Sequence, residues 1–155
     1  MINWETCHKE FAPDGALRDI YILGTNVEHW KKLFEILKSF SDLEYCLDGD
    51  IQPIPSSVDE IFAIRATASP LIRFRRADVN VICHFFCIEQ IEFDVDPREV
   101  SSATAFDGLT SLLKLLGDEL DKRVIMSYES EEQHPFLIYE PSKKEFDYFP
   151  CPITP

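Results

Sequence analysis

Val79-Asn80-Val81-Ile82-Cys83-His84-Phe85-Phe86-Cys87-Ile88-Glu89-Gln90-Ile91-Glu92-Phe93-Asp94-Val95-Asp96 is the stretch that decides the fold. Its first half, Val79 to Cys87, is a near-continuous apolar run, the pattern of a central strand buried on both faces. Its second half alternates. Ile91, Phe93 and Val95 point one way, and Glu92, Asp94 and Asp96 the other. As one strand the whole segment would run about 60 Å, at roughly 3.3 Å per residue. That is too long for a chain of 155 residues, so a turn or sharp bend belongs near Ile88–Gln90. A three-residue loop there aligns Val79, Val81, Cys83 and Phe85 with Ile91 and Phe93. The opposite face then carries Arg73, Arg75, His84, Glu92 and Asp94, with Asp94 opposite His84.

Working upstream, Leu71 to Arg76 is a strand joined to Val79 by a tight Ala77-Asp78 turn. Leu17 to Leu23 is another, entered by Asp14-Gly15 and ended by Gly24. Thr25 and Glu28 have capping-box spacing. Val27, Trp30, Leu33, Phe34, Leu37 and Phe40 follow at helical spacing, so the first helix is expected over about 26–40. Leu43 to Leu47 reads as a short strand closed by Asp48-Gly49, and 50–57 as a Pro- and Ser-rich loop. Ser57 and Glu60 repeat the capping spacing ahead of a short helix near 58–65, although Ile61, Phe62 and Ile64 also suit a strand.

Downstream, Pro97 breaks the ladder. Phe106, Leu109, Leu112, Leu113, Leu116 and Leu120 define an amphipathic helix over about 104–121. Val124 to Tyr128 is a strand. Phe136 to Tyr139 and Phe146 to Phe149 form a last hairpin. Runs of strands between two helices point to an α+β fold, not a doubly wound one. The expectation is a mainly antiparallel sheet of about five to seven strands packed by the two main helices. No linker or repeat divides residues 1–155, so one globular domain is expected.

Composition narrows function. The chain has 28 acidic and 15 basic side chains, a net charge of −13. Nucleic acid and anionic membrane would have to be reached against a like-signed field, so neither is an expected partner. A basic protein partner is. Solubility alone also makes many domains acidic. The longest apolar stretches fall short of the roughly 20 residues that span a bilayer. The N-terminus lacks a basic region followed by an apolar one, so the expected location is the cytoplasm. The five cysteines, Cys7, Cys46, Cys83, Cys87 and Cys151, are odd in number and scattered, and are expected as reduced thiols packed as small hydrophobes.

Cys83, His84 and Cys87 suggest zinc only on a helix. On a strand, residues four apart are about 13 Å from each other, beyond what Zn–S bonds of about 2.3 Å bridge, and His84 points to the other face. Cys7 with His8, or Cys151 with His134, are formal nucleophile–base pairs, but nothing flanking them looks like an oxyanion turn. The five glycines are isolated, which excludes a phosphate-cradling loop or dinucleotide fingerprint. No cofactor is expected, and the balance leans away from an enzyme.

The acidic strand is the principal candidate site. Glu92, Asp94 and Asp96 read first as a charge-compensated ladder with Arg73 and Arg75, then as a surface for a basic partner, and last as a metal site. Asp118 and Glu119, with Glu129, Glu131 and Glu132 in a probable loop, extend the candidate partner-binding surface. If Arg73 and Arg75 neutralise the strand, the surface shifts to 118–132.

Two stretches carry a resemblance. One is Asp14-Gly15-Ala16-Leu17-Arg18-Asp19-Ile20-Tyr21-Ile22 ahead of the helix near Trp30. The other is Ile91-Glu92-Phe93-Asp94-Val95-Asp96-Pro97-Arg98-Glu99 ahead of the Leu-rich helix and the strand ending Tyr128-Glu129. In outline the chain resembles small acidic bacterial immunity-type proteins associated with polymorphic toxin systems. The resemblance implies a non-catalytic inhibitor that plugs a toxin's basic active site, and it brings no catalytic residue with it. The alternatives are a small enzyme using Cys/His or a carboxylate-bound metal, and an acidic nucleic-acid mimic.

Overall fold

The computed structural model describes residues 2–152. Strands β1 (Arg18–Leu23), β2 (Glu44–Leu47), β3 (Asp50–Gln52), β4 (Pro70–Arg76), β5 (Val79–Cys87), β6 (Gln90–Val95), β7 (Val124–Tyr128), β8 (Leu137–Glu140) and β9 (Glu145–Tyr148) form one nine-stranded sheet. Their order across it is β3-β2-β4-β5-β6-β1-β7-β8-β9, and every pairing is antiparallel. The α+β class and the antiparallel sheet agree with the sequence reading. The sheet is larger than the five to seven strands expected. Asp50–Gln52, read as loop, pairs with β2 across the Asp48-Gly49 turn, where both residues take positive φ. Three residues beside Pro53 are too few for alternation to register.

Among the described residues four α-helices accompany the sheet: α1 (Trp4–Cys7), α2 (Val27–Lys38), α3 (Val58–Ile64) and α4 (Ala103–Leu120). The first was not foreseen. It opens on Asn3, whose side chain accepts from Thr6 N–H, and runs into a 3-10 turn over His8–Phe11. For α2 the cap is Asn26 rather than Thr25: Asn26 accepts from Glu28 and His29 N–H, and His29 bonds back to Asn26 N–H. Thr25 instead donates its hydroxyl to Ile88 O, which also accepts from the Trp30 indole. These two bonds dock the start of α2 on the β5–β6 turn. Ser57 caps α3, which settles residues 58–64 as helix.

All four helices cover the same sheet face. Trp30 packs on Phe85, Phe40 on Phe74, and Phe11 on Phe136. α4 comes so close to β8 that Gly117 leaves no room for a side chain beside Tyr139. Ile20, Ile22, Ile72, Phe74, Cys83, Phe93 and Met126 lie in this interface, all essentially inaccessible. Each such side chain contributes roughly 1.5–3 kcal/mol of burial, and together they form a single core.

Among the described residues no helix lies on the opposite face, which corrects the reading of β5. Its alternate residues Val79, Val81, Cys83 and Phe85 are buried, but Ile82 and His84 are half-buried and Phe86 is 59% exposed. An apolar run is therefore not proof of two-sided burial, because Ile82 and Phe86 sit on the wetter face. Among the described residues no helix is long and apolar enough to cross a membrane.

Candidate functional site

The helix-free face is built by strand alternation alone. One row across it, from β2 to β7, reads Cys46, Leu71, His84, Glu92, Tyr21, Ile125. The next reads Glu44, Arg73, Ile82, Asp94, Asp19, Ser127. Both rows run without a break because β1 inserts between β6 and β7. The turn at the end of β5 is shorter than expected. Cys87 pairs with Gln90, and a register shift between His84 and Cys87 places His84 opposite Glu92 and Ile82 opposite Asp94. His84 thus meets Asp94 diagonally, with Nε2 2.5 Å from Oδ2, and its ring stacks flat on Phe86 at 4.8 Å.

Asp19 and Tyr21 join this cluster from β1. The Tyr21 hydroxyl donates to Asp19 Oδ2 at 2.8 Å, and Ser130 N–H donates to the same oxygen at 2.9 Å. Glu92 stands directly opposite Tyr21 on the neighbouring strand. Three carboxylates therefore surround one histidine and one phenol.

Burial sets their protonation. It pushes the Asp19 carboxyl above its ordinary range, helped by the charges of Asp94 and Glu129 and opposed by the Ser130 and Tyr21 hydrogen bonds. It pushes Glu92 up as well, with Asp19 and Asp94 adding to the effect. Tyr21 rises through burial and its bond to Asp19. At His84 burial works against the imidazolium, but the Asp94 hydrogen bond and the charges of Asp94, Glu92 and Asp19 outweigh it, so His84 holds its proton above the usual imidazole range.

Arg73 and Arg75 do not supply the expected compensation. Arg73 Nη2 lies 3.0 Å from Glu44 Oε1, on the β2 side and away from Asp94. Arg75 bonds Asp78, and Ile82 of β5 stands between β4 and Asp94. At the other side Arg123 pairs with Glu140, and Lys122 donates to Gly24 O. A ladder between strands that are not neighbours could not form, and strand order is what the residue pattern does not contain.

The other predicted residues divide. Asp96 leaves the face, because β6 ends at Val95. It caps the 3-10 turn over Pro97–Glu99 and is held low by Arg98, whose guanidinium and N–H both donate to it. Asp118 lies on α4, in the helical layer. The Tyr139 hydroxyl, Lys114 and Lys144 all donate to it and hold it far below the carboxylate range. Glu119 is exposed on the same helix. Glu129, Glu131 and Glu132 lie in the segment after β7. Of these, Glu129 adds its charge at Asp19, while Glu131 faces a hollow of about 380 Å³ with Tyr128, His134 and Cys151. The acidic runs at 118–119 and 129–132 therefore do not merge into one patch. Asp19 and Tyr21 were missed. Their clue is the Asp-x-Tyr alternation within the strand Leu17 to Leu23.

Thiol chemistry finds no support in the geometry. Cys83 is buried under the helices, with His84 on the opposite face. Cys7 is buried and its neighbour His8 bonds Glu5 O. Cys151 does share the hollow with His134, but burial and the charges of Glu10 and Glu131 push its thiol up, opposite to what a nucleophile needs. Among the described residues no three His, Cys, Asp or Glu side chains are arranged to hold a metal ion. A hollow of about 380 Å³ beside Tyr21 is lined by Leu23, Asp121, Lys122, Arg123, Ile125 and Glu140 as well, and not by His84, Glu92 or Asp94.

Comparison with known proteins adds no relative: no family model, curated protein or solved structure matches the chain.

Proposed function

We propose that this protein is a non-catalytic binding protein that takes a basic protein partner on the helix-free face of its sheet. One observation carries the reading. Asp19, Glu92 and Asp94 lie side by side there with His84 as their cationic neighbour, while Arg73, Arg75 and Arg123 are each engaged by other carboxylates. A basic partner would supply the missing charge. The net charge of −13 would speed its approach from a distance.

Inhibition of a basic toxin domain, as in immunity-type proteins, is the form of this function that the sequence resemblance favours. The acidic residues line no deep pocket of their own, so binding fits them better than catalysis. They also cluster compactly instead of forming the long run of charges a nucleic-acid mimic requires.

The test is affinity capture from the native host with the wild-type chain beside Glu92→Gln/Asp94→Asn, which leaves size and hydrogen-bonding shape almost unchanged. The expected result is a specific basic protein retained by the wild type and lost from the double variant, with the variant still folded by circular dichroism. Equal capture by both proteins would place the interface elsewhere.

A further inference from the structure

The helix-free face is not only acidic. Leu23, Ile51 and Phe86 are 43%, 60% and 59% exposed, and all three belong to it: Leu23 alternates with Tyr21, Ile51 pairs with Cys46, and Phe86 stacks its ring on His84. Exposed large apolar side chains gathered on one sheet face mark a docking surface. Phe86 is supported from below, since its ring stacks on His84, so its exposed side is a firm platform. Next to it, Leu71 lies opposite His84 on β4. Glu92 lies opposite His84 on β6, and Asp94 is bonded to it.

Resting on the binding reading above, we propose that the occupant is a partner segment carrying one arginine or lysine between apolar side chains. Its cation enters beside His84 to reach Glu92 and Asp94, and its apolar flanks rest on Phe86 and Leu71. Charge complementarity selects this occupant over a second copy of the chain, which would bring like charge to like.

The arrangement has a built-in signature. The incoming cation competes with the imidazolium of His84 for the same carboxylates. The charged groups that face His84 are Arg73 from β4, itself held by Glu44, then Glu92 and Asp94 from β6 and Asp19 from β1 beyond them. Docking therefore drives off the His84 proton. Affinity rises as pH increases through the titration of His84, which Asp94 has moved upward. Glu92 gives the same sign in a separate, more acid range, where its raised carboxyl ionises.

The probe is a short synthetic peptide with one central arginine between leucines, titrated into the full chain by NMR and by calorimetry in buffers of different ionisation heat. Its controls are the same peptide with citrulline, which keeps the shape and removes the charge, and with lysine. Expected are shifts at Phe86, His84 and Glu92, affinity about tenfold or more weaker for citrulline, and proton release near the His84 titration that vanishes in His84→Gln while binding persists. Phe86→Ala weakens binding without altering proton release. Equal affinity for the citrulline peptide overturns the proposal. So does proton release that survives in His84→Gln and disappears in Glu92→Gln, or no binding of the arginine peptide at all. The capture experiment with the Glu92→Gln/Asp94→Asn pair uses no peptide, so it reports separately on whether the face binds a protein.

Discussion

Gly117→Ala is expected to destabilise the protein even though alanine is the better helix former. In an open helix interior the change gains about 1 kcal/mol. Here a Cβ at Gly117 would stand 2.5 Å from Tyr139 Cδ2, 2.9 Å from Cε2 and 3.2 Å from Lys122 O. The ring cannot swing aside. Tyr139 is fully buried, and its hydroxyl is held from the same helix, donating to Asp118 at 2.6 Å and accepting from Lys114 at 3.1 Å. The remaining relief is for α4 to lift off the sheet by roughly 1 Å, which loosens Leu113, Leu116 and Leu120 and forfeits part of their dispersion energy. Overpacking of this kind costs about 1–3 kcal/mol, more where nothing yields. The upper end applies here, so after the helix gain the net loss is about 2 kcal/mol. For a chain of this size that lowers Tm by roughly 4–8 °C. Urea unfolding and calorimetry of Gly117→Ala measure it, with Ser111→Ala, on the exposed face of the same helix, as the control expected to gain a few tenths of a kcal/mol. If Gly117→Ala proved as stable as the wild type, α4 would not approach β8 this closely, and the packing argument would fail.

Asp94→Asn is expected to bring the His84 titration down toward or below the ordinary imidazole value, read by NMR of the ring protons. Because the folded-state value is raised in the wild type, the stability contributed by this pair is fully present below the unfolded value and lost as pH rises through the folded one. The wild type should therefore lose stability relative to Asp94→Asn as pH rises from the ordinary imidazole value through the raised folded-state one, and a difference independent of pH would contradict the pairing. Glu10→Ala should cost about 2–4 kcal/mol. Glu10 is buried and accepts from the hydroxyls of both Tyr128 and Tyr148, so its loss unties the N-terminal segment from β7 and β9, and hydrogen exchange over residues 8–18 should accelerate.

Features that depend on near neighbours in the chain were legible in the sequence. The alternation from Ile91 to Val95, the helical spacing from Val27 to Leu37 and from Phe106 to Leu120, the Ser57 cap, the Ala77-Asp78 turn and the opposite facing of Cys83 and His84 all follow from periods of two and 3.6. Each requires only a few residues of context, and each agrees with the structure. The candidate site was half legible for the same reason: Glu92 and Asp94 share a face because a strand alternates.

What surrounds them was decided by tertiary structure. Placement of β1 between β6 and β7 brought Asp19 and Tyr21 to the carboxylates from residues more than seventy positions away. Placement of β4 beside β2 gave Arg73 to Glu44. The bulge after His84 chose Glu92 as its ladder partner and Asp94 as its hydrogen-bond partner. Residue type and local period cannot specify these outcomes. Strand order is set by how the whole core closes, and a shift in one turn changes every cross-strand neighbour beyond it. The stretch Val79–Asp96 thus determined by itself that a sheet exists and that Glu92 and Asp94 share one of its faces, though not that Asp96 leaves it. Only the packing of all nine strands determined that those acids stand together with one histidine on an uncovered face.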